Sequence, residues 1–232
     1  CGVGGVGSFA VEALARAFVG HLTLIDFDEI KASNINRQIH ASTLTVGQGK
    51  VEVMAQRVRE INPGCDVVAR RVRLLPESLG GWLQEPWDYV VDAIDDGDAK
   101  VSLIAACVGR RIPIVSSMGA ANKLCPGAVR IADIAESRQC PLARAMRKRL
   151  RKLGIEKGVT VVYSEEQPVR LAGASGAFQA DAADDPGGKR PQGTISTMPA
   201  LFGLHCASVV LAHLLKGVAF ERRGETPRRV HP

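Results

Sequence analysis

Four groups of residues in the first hundred have the types and spacing to handle a phosphorylated nucleotide. Gly2, Gly4 and Gly7 fit G-x-G-x-x-G, with Gly5 inside the pattern and Ser8 and an apolar run behind it. Glycines let the backbone turn tightly and approach a phosphate whose charge faces the amino end of the next helix. Asp26, with Asp28 just beyond, ends an apolar stretch about twenty residues further on, where a carboxylate accepts from a ribose hydroxyl. Residues 33–38 read Ser-Asn-Ile-Asn-Arg-Gln. Asn34 and Gln38 add side-chain donors there, Arg37 a planar fork for phosphate oxygens, and Lys50, in the next helical stretch, a point charge. That set suits a triphosphate better than a nicotinamide dinucleotide. Asp92, Asp95 and Asp96 cluster at the end of a Val-rich stretch. Magnesium takes one or two carboxylates plus phosphate oxygens and water, so Asp95 need not bring a full ligand set.

Each group has a plainer reading. The glycines could mark only a tight turn, Asp26 a strand end, and residues 92–96 a solvated turn capping the next helix. Taken together, their order along the chain favours a site for a nucleoside triphosphate with magnesium.

The elements that must position these residues are legible as periodicities. Helices are expected at residues 4–18, 46–61, 76–84 and 99–109, and strands at 21–27, 67–72, 88–94 and 112–116. This alternation implies an α/β, Rossmann-like, doubly wound and mostly parallel sheet. Residues 1–126 form the nucleotide-binding part. The strand that ordinarily precedes such a glycine loop would lie before Cys1, so this part is read without its first strand. Residues 127–232 form a C-terminal α+β extension of the same domain, with strands at 129–134 and 159–164. Between them lies a helix opened by Pro141, in which Leu142, Met146, Leu150 and Leu153 recur at helical spacing. Its other face carries Arg144, Arg147, Lys148 and Arg151, a charge density that suits either plain solvation or a phosphate backbone. Residues 172–193 read as a flexible surface insertion and 221–232 as a polar tail. Residues 198–215 approach the length of about 20 residues that spans a bilayer. His205, Cys206, Ser208 and His213 make this a poor lipid segment, so a buried helix and no membrane span are expected.

A formal charge of +6 and a pI near 9.2 favour an anionic partner. The six cysteines are scattered, with no C-x-x-C pair and no histidine at zinc-finger spacing. Neither a disulfide framework nor a structural zinc is therefore indicated, and a reducing cytoplasm is the expected compartment. No signal-peptide pattern is visible.

The loop at 2–8, Leu24-Ile25-Asp26-Phe27-Asp28, the stretch 34–38, Lys50 and residues 92–96 together resemble the ubiquitin-activating-like adenylyltransferases (ThiF, MoeB and HesA). Within that superfamily, residues 117–124 (Ser-Met-Gly-Ala-Ala-Asn-Lys-Leu), Pro141-Leu142-Ala143 and Val161-Val162-Tyr163-Ser164 resemble tRNA threonylcarbamoyladenosine dehydratases. The resemblance implies that residues 1–126 bind ATP as a substrate, that Asp26 binds its ribose, that Arg37 and Lys50 act catalytically on the phosphates, and that Asp95 holds magnesium. It further implies a substrate tRNA carrying threonylcarbamoyl-adenosine next to the anticodon, a homodimer, and a sulfur-acceptor protein of a cysteine desulfurase as a possible partner. One departure is Cys125, which stands before Pro126 where such relatives tend to carry an acidic residue. Two other functions stay open. One is adenylation of the C-terminal glycine of a ubiquitin-like sulfur carrier, disfavoured by the missing C-x-x-C pairs. The other is a NAD-binding oxidoreductase, disfavoured by Arg37, Lys50 and Asp95.

Overall fold

The computed structural model describes residues 1–169, 193–220 and 228–229. The insertion expected at 172–193 therefore lies outside the described residues apart from Gly193, as does the tail at 221–232 apart from Arg228 and Arg229. Elements alternate as expected: α1 (Gly7–Arg16), β1 (His21–Ile25), α2 (Lys50–Ile61), β2 (Asp66–Arg70), α3 (Leu79–Trp82), β3 (Val90–Asp92), α4 (Gly97–Arg110) and β4 (Ile114–Ser117). They continue with β5 (Val129–Asp133), α5 (Pro141–Arg151), β6 (Thr160–Ser164), α6 (Thr197–Leu214) and a two-residue pairing of β7 (Ala219–Phe220) with β8 (Arg228–Arg229).

Strands β1 and β2 pair in parallel, and a second sheet runs β3-β4-β6-β5 with only β5 antiparallel. Cys1 and Gly2 run between the two sheets. Gly2 N donates to Ile25 O at 2.8 Å, the Cys1 amine to Val91 O at 2.8 Å, and Ala93 N to Cys1 O at 2.9 Å. The sheet is thus mostly parallel, and the C-terminal half contributes two of its strands.

Alternation along these strands sorts the core onto two faces. Ile114 and Val161 pack with Ile104 of α4 and Met146 and Leu150 of α5. Their neighbours Val115 and Val162 pack with Leu14 of α1 and Met198 and Phe202 of α6. Helix α1 also turns Val11 and Ala15 toward Met54 and Val58 of α2, so it joins two apolar clusters. Helix α6 is apolar enough to cross a membrane by length and composition alone. In the fold it packs against α1 and the sheet, as expected of a buried helix, while Leu204 and Leu214 remain exposed.

Several boundaries move for local reasons. Helix α2 begins at Lys50 rather than near residue 46, because Ile30 N bonds Gln48 O and Gly47 N bonds Ile30 O, which hold 47–48 against residue 30. In α5 the buried face is Ala143, Met146 and Leu150, whereas Leu153 lies beyond the helix and is exposed.

Candidate active site

The glycine loop enters α1 through two close backbone approaches. Gly2 has φ of +80°, and a Cβ there would meet Ala93 O at 2.7 Å. A Cβ at Gly7 would run into Gly2 O, so these two positions need glycine on steric grounds alone. Gly5 is limited by Pro199, 3.2 Å from where its Cβ would sit. At Gly4 the nearest atom is Gln38 Nε2 at 3.9 Å, so the protein itself leaves room for a side chain there.

Asp26 follows β1 directly and lies beneath this loop. Its Oδ2 accepts Val3 N at 2.6 Å and its Oδ1 accepts Asp28 N at 2.9 Å. The carboxylate thus ties the glycine loop to the strand end. A carboxylate has more acceptor sites than these two bonds use, so it can still take a ribose hydroxyl. Asp28 in turn accepts from Lys50 Nζ at 2.6 Å, and Lys50 N bonds Asp28 O at 3.0 Å. Lys50 is buried at the first position of α2 while Asp28 is about half exposed. The pair places an ammonium at an amino-terminal helix end close to the Asp26 turn.

The stretch between them is held by its own side chains. Asn34 is buried, and its Oδ1 accepts Lys31 N at 3.0 Å, so that oxygen is engaged in the local turn. Arg37 Nη1 donates to Ser33 O at 2.7 Å and to Asn36 Oδ1 at 2.9 Å. Gln38 and His40 are both buried, and Gln38 Oε1 and both His40 ring nitrogens have no partner among the described residues. Burial, with Lys50 and Arg57 adding to it, pushes the His40 imidazole down to about 4. Nothing in the sequence pattern singled out His40.

The acidic cluster at the end of β3 divides into three roles. Asp92 is fully buried and paired with Lys100 at 2.8 Å, so it is not available to a metal. Asp96 caps α4, its Oδ1 accepting Asp98 N at 2.9 Å and Ala99 N at 3.0 Å, and it lies 3.6 Å from Arg73. Asp95 is exposed. It is the residue expected to hold magnesium, and the other two carboxylates of the cluster are engaged within the fold. No group of three His, Cys, Asp or Glu side chains that could hold a metal occurs among the described residues. A divalent ion at Asp95 would therefore draw its remaining ligands from phosphate oxygens and water, as magnesium does. Lys100, in the first turn of α4, is not paired with Asp92 by any sequence pattern, since the strand end and the helix meet only in the fold.

Opposite this turn, the loop after β4 is clasped from the C-terminal half. Lys123 is buried and donates to Glu166 O, while the Glu166 carboxylate accepts Leu124 N and Cys125 N, each at 2.9 Å. Burial lowers the Lys123 pKa. Val169 N bonds Asn122 O and Asn122 N bonds Gly193 O, both at 2.8 Å, and Asn36 Nδ2 reaches Thr194 O at 2.9 Å. Residues 169 and 193 thus both meet Asn122, and Thr194 links to the Asn36–Arg37 stretch.

On α5 the cations fall into two groups. Arg147 points inward, donating to Ser137 O at 2.7 Å and to Ser137 Oγ, and Arg149 pairs with Asp98. Arg144, Lys148 and Arg151 are exposed at i, i+4 and i+7, on one face. Arg147, expected among the phosphate contacts, is instead engaged with the turn before the helix.

A glycine loop, a strand-end aspartate and a lysine–aspartate pair at the carboxyl ends of a mostly parallel sheet define an α/β nucleotide-binding protein. The chain belongs to the ThiF family, whose model matches residues 1–227. It is 41% identical to the tRNA threonylcarbamoyladenosine dehydratase of Bacillus subtilis over 95% of this chain and 87% of that protein. The Escherichia coli enzyme of the same name is 39% identical over 93% of this chain and 83% of its own length. The crystal structure of that enzyme with ATP matches with a TM-score of 0.81 at 37% identity, covering 92% of this chain and 83% of the other. A shorter match, 38% identical over 53% of this chain and 48% of the other, is to the molybdopterin-synthase adenylyltransferase of Escherichia coli.

Proposed function

We propose that this chain is an ATP-dependent tRNA threonylcarbamoyladenosine dehydratase. The observation that carries the reading is the match to the ATP complex over 92% of the chain, with the glycine loop, Asp26 and the Lys50–Asp28 pair gathered at the strand ends. In the first step, a carboxylate oxygen of threonylcarbamoyl-adenosine attacks the α-phosphorus of ATP and pyrophosphate leaves. In the second, a nucleophile within the same modification attacks the activated acyl carbon and AMP leaves. The net change in the nucleoside is the loss of one water.

The protein's part in this chemistry is positioning and charge. Asp26 takes the ribose, while Gly2, Gly4, Gly5 and Gly7 present backbone to the phosphates at the start of α1. Arg37, Lys50 and Gln38 supply donors that stabilise charge as pyrophosphate departs. Asn34 acts by shaping the turn that carries Arg37, and Asp28 by holding Lys50. Asp95 would hold magnesium, which supplies neutralisation of the polyphosphate charge. The exposed stripe of Arg144, Lys148 and Arg151 serves the tRNA backbone. A homodimer, a cytoplasmic location and docking of a sulfur-acceptor protein of a cysteine desulfurase are parts of the same reading.

Activation of a sulfur carrier is the second reading, favoured by the match to the molybdopterin-synthase adenylyltransferase over about half of the chain. One experiment separates the two. The protein is incubated with ATP, magnesium and tRNA bearing threonylcarbamoyl-adenosine, and the digested nucleosides are weighed by mass spectrometry. A nucleoside lighter by one water supports the dehydratase. No change in the nucleoside, together with AMP transfer to a carrier ending in Gly-Gly, would move the assignment to the carrier.

A further inference from the structure

Asp92 and Lys100 are charged, fully buried and bonded to each other at 2.8 Å beneath the strand ends. Taking such a pair out of water costs free energy, and apolar side chains of similar volume would pack as well or better. Its bonds suggest what it is for. Asp92 Oδ1 accepts Ile94 N at 3.1 Å, which bends the chain immediately before Asp95. Asp92 Oδ2 accepts from Ser116 Oγ at 2.6 Å, and Lys100 Nζ donates to Ser117 O at 2.9 Å. The ion pair between the end of β3 and the first turn of α4 therefore ties together the carboxyl ends of β3 and β4. The same turn backs onto the glycine loop, since a Cβ on Gly2 would meet Ala93 O at 2.7 Å and Ile94 N at 3.0 Å. Residues 93 and 94 are thus held between the Asp92 carboxylate and the loop that faces the phosphates.

We infer that Asp92 and Lys100 are positioning residues that set the turn at 93–95, through the Ile94 N–H, so that Asp95 faces the polyphosphate on the glycine loop. Ser116 and Ser117 extend the same restraint to the loop after β4. This rests on the reading of Asp95 as the magnesium ligand. Outer partners of a metal ligand typically change metal affinity by about 10- to 100-fold when removed.

Two double variants separate geometry from charge. Asp92→Asn with Lys100→Met removes both charges but keeps an oxygen for Ile94 N. Asp92→Leu with Lys100→Met removes the charges and the acceptor. Melting midpoint, the added stabilisation by ATP as magnesium is raised, and the magnesium concentration for half-maximal AMP formation on modified tRNA are measured for both. The Asn/Met protein is expected to keep the wild-type magnesium requirement within about threefold. The Leu/Met protein is expected to need about tenfold more and to lose the magnesium-dependent part of ATP stabilisation, at a similar melting midpoint. Equal magnesium behaviour in the two would overturn the inference. Should the Leu/Met protein not fold, hydrogen exchange at the Ile94 amide decides. Equally slow exchange in wild type and the Asn/Met protein upholds the restraint, and exchange in wild type as fast as at exposed amides overturns it. Asp95→Asn is run alongside. An unchanged magnesium requirement there removes the metal assignment and this inference with it. A raised requirement there, with none in the Leu/Met protein, removes the positioning role alone.

Discussion

Lys50 combines burial, a helix amino terminus and a carboxylate partner 2.6 Å away, a costly arrangement for a residue that only solvates a surface. Arg37 is pre-ordered differently, with one nitrogen held by Ser33 O and Asn36 Oδ1 at 2.7 and 2.9 Å. Each can give a charge-assisted contact that strengthens as pyrophosphate leaves, worth about 2 kcal/mol at the transition state. Lys50→Ala and Arg37→Ala are therefore each expected to slow AMP formation about 30-fold. Arg37→Ala should leave the melting midpoint almost unchanged, because its side chain is not part of the core. Lys50→Ala should lower the midpoint modestly, since Asp28 is exposed enough to hydrate once unpaired. Single-turnover AMP formation and a thermal melt on each protein test both statements, and wild-type turnover in either variant would remove that residue from the phosphate grip.

At the scale of elements, α5 and α6 make separate predictions. Since Arg147 is bonded to the turn at 134–137, the test of α5 as an RNA surface belongs to Arg144, Lys148 and Arg151. Replacing these three by Ala is expected to weaken tRNA binding and to flatten the plot of log affinity against log salt by roughly 0.9 per lost contact on duplex-like RNA, with ATP binding intact. Parallel salt plots of equal affinity would remove the stripe from the tRNA site. Arg147→Ala should instead lower stability. Helix α6 meets α1 at Gly203, where a Cβ would collide with Val6 O and lie 2.9 Å from Ala10 N. Because Val6 precedes α1 at the end of the glycine loop, Gly203→Ala is expected to cost about 1–3 kcal/mol of stability and to weaken ATP binding as the loop shifts. Denaturant unfolding with a parallel ATP titration checks it, and a fully stable variant with normal ATP binding would show that the helices separate without disturbing the loop.

The molecule as a whole has an acid limit built into the contact between α1, α2 and the stretch before α2. His40 is held neutral, its pKa pushed down to about 4 by burial and by Lys50 and Arg57. A histidine whose pKa is lower in the fold than in the unfolded chain binds its proton more readily when unfolded. Stability is therefore complete above pH 6.5 and declines as pH falls toward 4, by about 3 kcal/mol. Burial alone would raise the Glu12 carboxyl, but hydrogen bonds from Arg57 and Arg16 hold it below its ordinary value. Its contribution is present above the ordinary glutamate range and is lost as pH falls further, through its lowered pKa. Urea unfolding between pH 7.5 and 4.5 should show stability falling first through the histidine window. His40→Gln should flatten that part of the curve, and an identical slope in the variant would remove His40 as its cause.

Much of this design is local and so was legible in the residue order. Periods of 2 and 3.6 arise within single elements, and they located the strands and helices to within a few residues. The G-x-G-x-x-G spacing is equally local, because the Gly2–Gly7 approach closes within one turn of chain. Two features were out of reach. Helix α6 is apolar almost all round, so its pattern could not say which side is buried, and the close approach at Gly203 to α1 selects it. Partners that lie on different elements were likewise hidden: Lys100 withdrew Asp92 from the acidic cluster, Ser137 claimed Arg147, and Glu166 clasped the loop after β4. A charge read in isolation tells only what it can bind. Which charges remain for a ligand depends on burial and on partners that meet only when the sheet assembles, since desolvation forces each buried ionic group to find a counterpart within the fold.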